Sequence, residues 1–189
     1  MIPAPIPEND SDRVASLERM QILSTPRESD IDRITRTAQK LFRTEIALVS
    51  LVDKDRQWFK SRCGLDATET PRAISFCGHA IQGAETFVVG DAAKDRRFDD
   101  NPLVTGPPNI RFYAGQPLEN REGFRIGTLC VISGAPRNFS DEDKETLQDL
   151  ARMIEMVLEN RKLSDAQVSL LESLASAERD TLIDPLTGI

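Results

Sequence analysis

Two side chains capable of covalent or metal chemistry lie two positions apart: Cys77 and His79, the chain's single histidine. A neighbouring imidazolium lowers the pKa of a thiol, and both groups bind soft metals. The pair is therefore a candidate nucleophile, redox sensor or partial metal site. In a helix, however, residues two apart point to different sides, so the pair meets only in a non-helical backbone. We expect the alternative, in which Cys77 packs in the core, His79 forms a hydrogen-bonded wall, and neither metal site nor catalytic residue is present.

The other cysteines and the loop charges add few candidates. Cys63 and Cys130 complete an odd set of three with no C-x-x-C spacing, so we expect reduced thiols. A stretch rich in Asp, Asn, Pro and Gly spans residues 91–108, and so long an irregular segment is typical of a binding loop. Asp91 and Arg111 flank this stretch and are candidates for contacting a polar ligand. Charged loop residues are usually only solvated, which is the alternative for both.

Two pairs of adjacent aromatic residues lie in predicted strands, Trp58 with Phe59 and Phe112 with Tyr113. Because successive side chains of a strand point to opposite faces, each pair sends one ring to each face of the sheet. We expect one ring of each pair to fill the core, while the other is placed to line a pocket.

The composition excludes several classes of partner. The chain has 189 residues, enough for one domain with extensions, and 39% of them are hydrophobic. Its net charge is 24 − 31 = −7 without a Lys/Arg cluster, which argues against nucleic acid or anionic membrane as partners. No apolar run approaches the roughly 20 residues that span a bilayer, and the N-terminus lacks the features of a signal peptide. We expect a cytoplasmic protein that does not insert into membranes.

The spacing of apolar residues predicts helices interleaved with antiparallel hairpins, which indicates an α+β fold. A flexible lead at 1–10 precedes predicted helices near 12–23 and 29–42. The predicted strands cover residues 46–52, 57–63, 86–89, 110–118 and 124–132.

A long helix is predicted to begin at Ser140, an N-cap followed by acidic residues, and to reach about residue 180. At 1.5 Å per residue it is roughly 60 Å long, more than a domain of this size can cover. Its second half must pack on something else, most simply a second copy in a parallel coiled coil. The predicted seam of this homodimer is Leu147, Leu150, Ile154, Val157, Val168, Leu171 and Ala175. The alternative is a hairpin that breaks near Arg161 to Ser164 and folds back.

Six segments, in order, resemble GAF domains, which are α+β modules that sense small molecules. They are IALVSLVD (46–53), QWFKS (57–61), SFCGHAI (75–81), DRRFDDNP (95–102), RFYAG (111–115) and GTLCVI (127–132). The final residues, DPLTGI (184–189), resemble the D-x-L-T-G-L segment that opens GGDEF domains, the catalytic domains of diguanylate cyclases. No GGDEF signature occurs in the chain. The resemblance implies a GAF domain at 11–159, a signalling helix at 160–183 and the start of a truncated GGDEF domain at 184–189.

The resemblance implies a sheet of five or six strands with helices on one face and a pocket on the other. The implied pocket residues are Phe76, Cys77, His79, Asp91, Arg111 and Tyr113. The implied function is non-catalytic: as a homodimer, the module senses an unidentified small molecule or a redox change and regulates a downstream diguanylate cyclase. The sequence names no cofactor.

Two other functions stay open: a redox or hydrolytic enzyme that uses Cys77 and His79, and a GAF fold that only dimerises. Bilin attachment is not expected, because Gly78 separates the cysteine from the histidine. The N-K-x-F-x-x-x-D-E motif of cyclic-nucleotide GAF domains is absent. The cysteine contexts of GAF domains that reduce free methionine sulfoxide are not found either.

Overall fold

The structure, a computed structural model, describes the backbone of residues 1–182 and the side chains of residues 1–161, 170, 171 and 173. The predicted GGDEF start at 184–189 lies outside the described residues. The helices are α1 (Asp10–Arg19), α2 (Ser29–Phe42), α3 (Phe76–Ala80), α4 (Pro102–Thr105) and α5 (Asp141–Leu182), with one 3-10 turn at Arg72–Ile74. The strands are β1 (Ile46–Val52), β2 (Arg56–Cys63), β3 (Glu69–Pro71), β4 (Phe87–Val89), β5 (Phe112–Glu119) and β6 (Arg125–Ser133).

The six strands form one sheet in the order β3-β2-β1-β6-β5-β4, and every neighbouring pair is antiparallel. This confirms the predicted α+β class and both hairpins. The strand that the sequence does not predict is β3, three polar or imino residues long, because it has no apolar alternation to reveal it. The centre of the sheet is the β1–β6 pair, which is buried along almost its whole length.

Each face of the sheet carries its own core. On one face α2 and α5 pack against the strands through residues such as Ile31, Ala38 and Ile154, all fully buried. On the other face α3 and the loop segments pack through Phe76 and Phe98. Side-chain alternation along the strands separates the two cores, as expected for a sheet covered on both sides.

The aromatic pairs divide between the two faces as predicted. Phe112 belongs to the core beneath the long helices and Trp58 packs against it, whereas Phe59 and Tyr113 belong to the opposite core. The alternation of side chains in β2 and β5 therefore places two rings beside α3.

The first seven residues, predicted to be a flexible lead, are packed along α3 and the loops beside it. The N–H groups of Ile2 and Ala4 donate to Arg97 O (3.1 Å) and Ala73 O (3.4 Å), and Gln82 Nε2 donates to Pro5 O (2.7 Å). Ala4 is buried. Prolines hold this segment extended, and the residues between them keep the N–H groups that make these bonds.

Helix α5 begins as predicted. Asp143 N donates to Ser140 Oγ (3.1 Å), and Ser140 N donates to Asp143 Oδ2 (2.9 Å), which is a reciprocal cap at its N-terminus. The helix then continues for 42 residues to Leu182, about 63 Å, without the break near Arg161 that the hairpin alternative required. Among residues 1–182, no helix combines the length and apolar character needed to cross a bilayer.

The first part of the predicted dimer seam lies inside the domain. Leu147 and Ile154 are fully buried and Leu150 nearly so, all in the core beneath α5, and Val157 packs against that core. Leu147, Leu150 and Ile154 are therefore not free to contact a second copy, and the prediction is wrong for them, whereas Val157 is only partly buried. Helical spacing identified an apolar face correctly, but the sheet covers that face. Leu171 is exposed, while the side chains of residues 168 and 175 lie outside the described set.

Candidate functional site

A cavity of about 220 Å³ lies between the sheet and α3. Its walls come from strands β1, β2, β3, β5 and β6, from helices α3 and α4, and from the loops that follow β2 and α4. The lining residues are Ile46, Leu48, Gln57, Phe59, Leu65, Ala67, Thr70, Phe76, Cys77, Leu103, Pro107, Pro108, Ile110, Tyr113 and Ile132. Most are apolar, and none is charged.

The mouth of the cavity is formed by the loop segments rather than by the sheet. Leu65 and Ala67 stand on the loop after β2, and Pro107 and Pro108 stand on the segment after α4. Ala67 and Pro107 are exposed, whereas the sheet residues at the inner end are buried. The irregular 91–108 stretch thus contributes to the cavity wall, as a binding loop would.

The predicted pocket residues divide into two groups. Phe76, Cys77 and Tyr113 line the cavity, with the rings of Phe76 and Tyr113 stacked at 5.2 Å. His79, Asp91 and Arg111 do not line it. The sequence places all six residues near one end of the fold but cannot tell which side of α3 or of β5 each one takes.

A hydroxyl and thiol cluster lies at the inner end of the cavity. Tyr113 Oη donates to Cys77 Sγ (3.4 Å) and lies 3.5 Å from Thr128 Oγ1. Gly115, two residues along β5, makes room for this hydroxyl, because a Cβ at position 115 would collide with Tyr113 Oη. Cys130 pairs across the sheet with Gly115 and Leu48, so its side chain shares this face.

Hydrogen bonds and burial shift the pKa values of the two cysteines in this cluster. Burial opposes ionisation of Cys77, but hydrogen bonds from Cys130, Thr128, Tyr113 and Ser50 outweigh it and lower the pKa of this thiol. The pKa of the Cys130 thiol lies well above its ordinary value, because the thiol is hydrogen-bonded to Cys77 and is buried.

A second polar position on the cavity wall was missed by the sequence reasoning. Gln57 is almost fully buried, and its Nε2 donates to Thr70 Oγ1 (2.6 Å) while its Oε1 accepts from Ser50 Oγ (3.3 Å). The available signal was the position of Gln57, two residues before Phe59 in β2, which places both side chains on the same face of the sheet. Thr70 lies on the unpredicted strand β3 and carried no signal.

His79 faces away from Cys77. Its Nε2 lies 3.2 Å from Ile2 O, and its ring meets Phe98 edge-on at 4.9 Å. Burial, and then the charge of Arg97, lower the pKa of His79. The helical backbone of α3 thus places the thiol and the imidazole on different sides of the helix.

The charges near the cavity are used elsewhere. Asp91 Oδ2 pairs with Lys94 Nζ (3.1 Å), and Arg111 Nη1 donates to Val104 O (2.9 Å) and Ile110 O (3.0 Å). Within the described part of the chain, no group of three His, Cys, Asp or Glu residues is placed to hold a metal ion. The largely apolar lining of the cavity is suited to an organic molecule.

Comparison with known families agrees with this architecture. The sequence profile of the GAF domain matches residues 26–158. The chain belongs to the GAF domain family. Over 155 residues this GAF domain is 43% identical to a cyclic di-GMP phosphodiesterase of Pseudomonas aeruginosa. That alignment covers 82% of the chain but only 26% of the relative, so the chain spans about a quarter of that protein.

Solved structures share the fold. The GAF domain of an Acinetobacter phosphoenolpyruvate-protein phosphotransferase superposes with a TM-score of 0.59 at 18% identity, covering 82% of this chain and 98% of that one. A free methionine-R-sulfoxide reductase from Neisseria meningitidis gives 0.59 at 20% identity, with coverages of 87% and 98%. The PixJ GAF domain of Thermosynechococcus elongatus gives 0.62 at 13% identity, with coverages of 85% and 96%. At these identities the likeness shows the fold alone.

Proposed function

We propose that this GAF domain is a non-catalytic sensor that binds a small molecule in the cavity and passes its occupancy to an output domain through α5. The observation that carries the proposal is the cavity itself, a largely apolar space against the central strands with two polar positions on its wall. Small-molecule sites commonly have this form, in which apolar walls provide affinity and a few polar groups fix orientation.

The central strand β6 connects the cavity to α5. Ile132 lines the cavity, while the adjacent Val131 points to the opposite face and belongs to the same core as Ile154 of α5. Cys130 and Leu129 repeat this alternation one step earlier. A ligand that displaces β6 would therefore shift the surface on which α5 packs, and packed cores pass such shifts on rather than absorb them.

The proposed output acts on cyclic di-GMP. The residues at 184–189 resemble the start of a GGDEF domain, which favours a downstream diguanylate cyclase. A phosphodiesterase output is the second candidate, because the 43% identical relative is a cyclic di-GMP phosphodiesterase. In either case the GAF domain regulates a reaction that it does not perform.

The proposed active form is a parallel homodimer, paired through the outward face of α5 rather than the seam predicted from sequence. Met153 and Met156 are exposed on that face, as is Leu170 further along the helix. Steps of three and four residues from Met156 reach Asn160, Leu163, position 167 and Leu170, a heptad spacing. A polar Asn at one core position of such a heptad is the feature that fixes register and favours two strands.

The test uses the full-length protein and a variant that blocks the cavity mouth. Ala67 is exposed and lines the mouth, so Ala67→Trp places a large ring there without disturbing the core. Thr68→Trp is the matched control, since Thr68 is exposed on the same loop but does not line the cavity. We expect Ala67→Trp, but not Thr68→Trp, to change the rate of cyclic di-GMP synthesis or hydrolysis. The rate is measured by chromatography of the nucleotides. Equal rates in the two variants would instead support a GAF domain that only dimerises.

A further inference from the structure

We propose that the cavity selects an uncharged molecule, built on a single apolar ring or a chain of similar size, with one hydrogen-bonding group that meets Gln57 and Thr70. This inference rests on the proposed function, because it names the chemical class of the ligand for the same cavity. It follows from three properties of the lining: its volume, its lack of charge and the hydrogen-bonding capacity that its polar residues retain.

The volume sets the size of the ligand. A cavity of about 150 Å³ lined by Leu, Ile and Phe accepts benzene in another protein. At about 220 Å³ the present cavity has room for one ring with a short substituent. Because its mouth lies between two loops, a longer substituent would have to extend past Ala67 and Pro107 into solvent.

The lining excludes a charged ligand. An ion transferred from water into an apolar site keeps a large desolvation penalty unless an opposite charge meets it. The two charged side chains that the sequence suggested for the pocket have partners elsewhere: Arg111 donates to two carbonyl oxygens, and Asp91 pairs with Lys94. The buried Lys60, next to Phe59 on β2, donates to Thr25 Oγ1 (2.7 Å) and Pro26 O (2.8 Å) and pairs with Glu28.

The two polar positions on the wall, Tyr113 with Cys77 and Gln57 with Thr70, differ in the hydrogen-bond donors that they leave unused. Tyr113 Oη donates its proton to Cys77 Sγ, so the strongest donor of this pair is already used. Gln57 uses one of its two amide hydrogens, on Thr70 Oγ1, and that hydroxyl accepts the bond while its own proton stays available to donate. A ligand hydroxyl or carbonyl oxygen placed here therefore meets donors that the protein has not used.

Three molecules of nearly equal shape test the selection by charge: 2-phenylethanol, phenylacetate and 2-phenylethylammonium. Each is titrated by calorimetry into the purified chain near neutral pH. We expect 2-phenylethanol to bind in the millimolar range reached by ligands this small, and both ions to bind at least tenfold more weakly. Ala67→Trp should weaken 2-phenylethanol at least tenfold, whereas Thr68→Trp should leave its affinity within about twofold.

A second pair of ligands tests the polar contact. Thr70→Val removes the hydroxyl while keeping the shape, so it should weaken 2-phenylethanol by about 2- to 10-fold, the value of one hydrogen bond, and ethylbenzene hardly at all. Equal losses of affinity for both ligands would show that the Thr70 hydroxyl does not hydrogen-bond the ligand.

The inference is overturned if either ion binds as tightly as the alcohol and is displaced by Ala67→Trp, or if 2-phenylethanol fails to bind at millimolar concentration. Neither result touches the proposed function, which fails separately if the Ala67→Trp and Thr68→Trp variants of the full-length protein turn over cyclic di-GMP equally.

Discussion

Truncating α5 side chains should separate its buried face from its outward face. Ile154 is fully buried beneath the sheet, whereas Met156, two residues on, is 61% exposed. Ile154→Ala removes buried methyl groups and leaves a cavity, so it should cost about 2–5 kcal/mol of unfolding free energy. Met156→Ala removes atoms that already face solvent and should change the stability of the isolated domain by no more than about 0.5 kcal/mol.

Urea denaturation at low protein concentration measures both free energies, and sedimentation velocity over a range of concentrations measures association. We expect Ile154→Ala to lower the unfolding midpoint without dissociating the folded protein, and Met156→Ala to weaken association with little change in midpoint at high dilution. The reverse pattern, with Met156→Ala the more destabilising and Ile154→Ala dissociating a folded dimer, would refute the assignment of the two faces and restore the seam predicted from sequence.

Three further predictions follow from particular contacts. Gly115→Ala should destabilise the domain by about 1–3 kcal/mol in urea denaturation, because the new Cβ collides with Tyr113 Oη. Gly83→Ala is the control and should be nearly neutral, because its new Cβ meets no atom within 4 Å. Equal losses of stability in the two variants would contradict the packing around Tyr113. The pKa of His79 is lowered in the folded state from its ordinary 6.5, so the folded protein binds fewer protons and loses stability as the pH falls through that value. His79→Gln should remove this loss of stability. If the unfolding free energies of the variant and the original protein depend on pH in the same way between about pH 8 and about pH 5, His79 does not cause the loss. Replacing Met153 and Met156 together with Ser should shift the full-length protein towards monomer in sedimentation and lower cyclic di-GMP turnover, whereas an unchanged dimer would exclude this face as the interface.

The sequence predicts the fold well because its signals are local. The apolar run that became β1, the alternation in β2 and the cap of α5 depend on residues close together in the chain. Strand alternation also correctly predicted that each adjacent aromatic pair divides between the two faces of the sheet. Strand β3 escaped prediction because three residues are too few to show a period.

The candidate site was only partly predictable, because its geometry depends on contacts between distant segments. Phe76, Cys77 and Tyr113 line the cavity, whereas His79 takes the other side of α3 and contacts Ile2, 77 residues away in the chain. The polar contact between Gln57 and Thr70 depends on a strand pairing that the sequence does not reveal. Likewise, the apolar spacing of α5 shows that a face is covered but not whether the sheet or a second copy covers it.

The most direct test of the central claim, that the cavity beside α3 is the ligand site, is methyl NMR of the chain titrated with 2-phenylethanol. We expect shifts in the Ile and Leu methyl groups that line the cavity, which belong to Ile46, Leu48, Leu65, Leu103, Ile110 and Ile132. Methyl groups of the core beneath α5, such as those of Ile31 and Leu147, should shift less and only through the displacement of β6. Shifts centred on the core beneath α5 or on surface methyl groups, with no shift of the cavity methyl groups, would show that the cavity is not the binding site of this ligand.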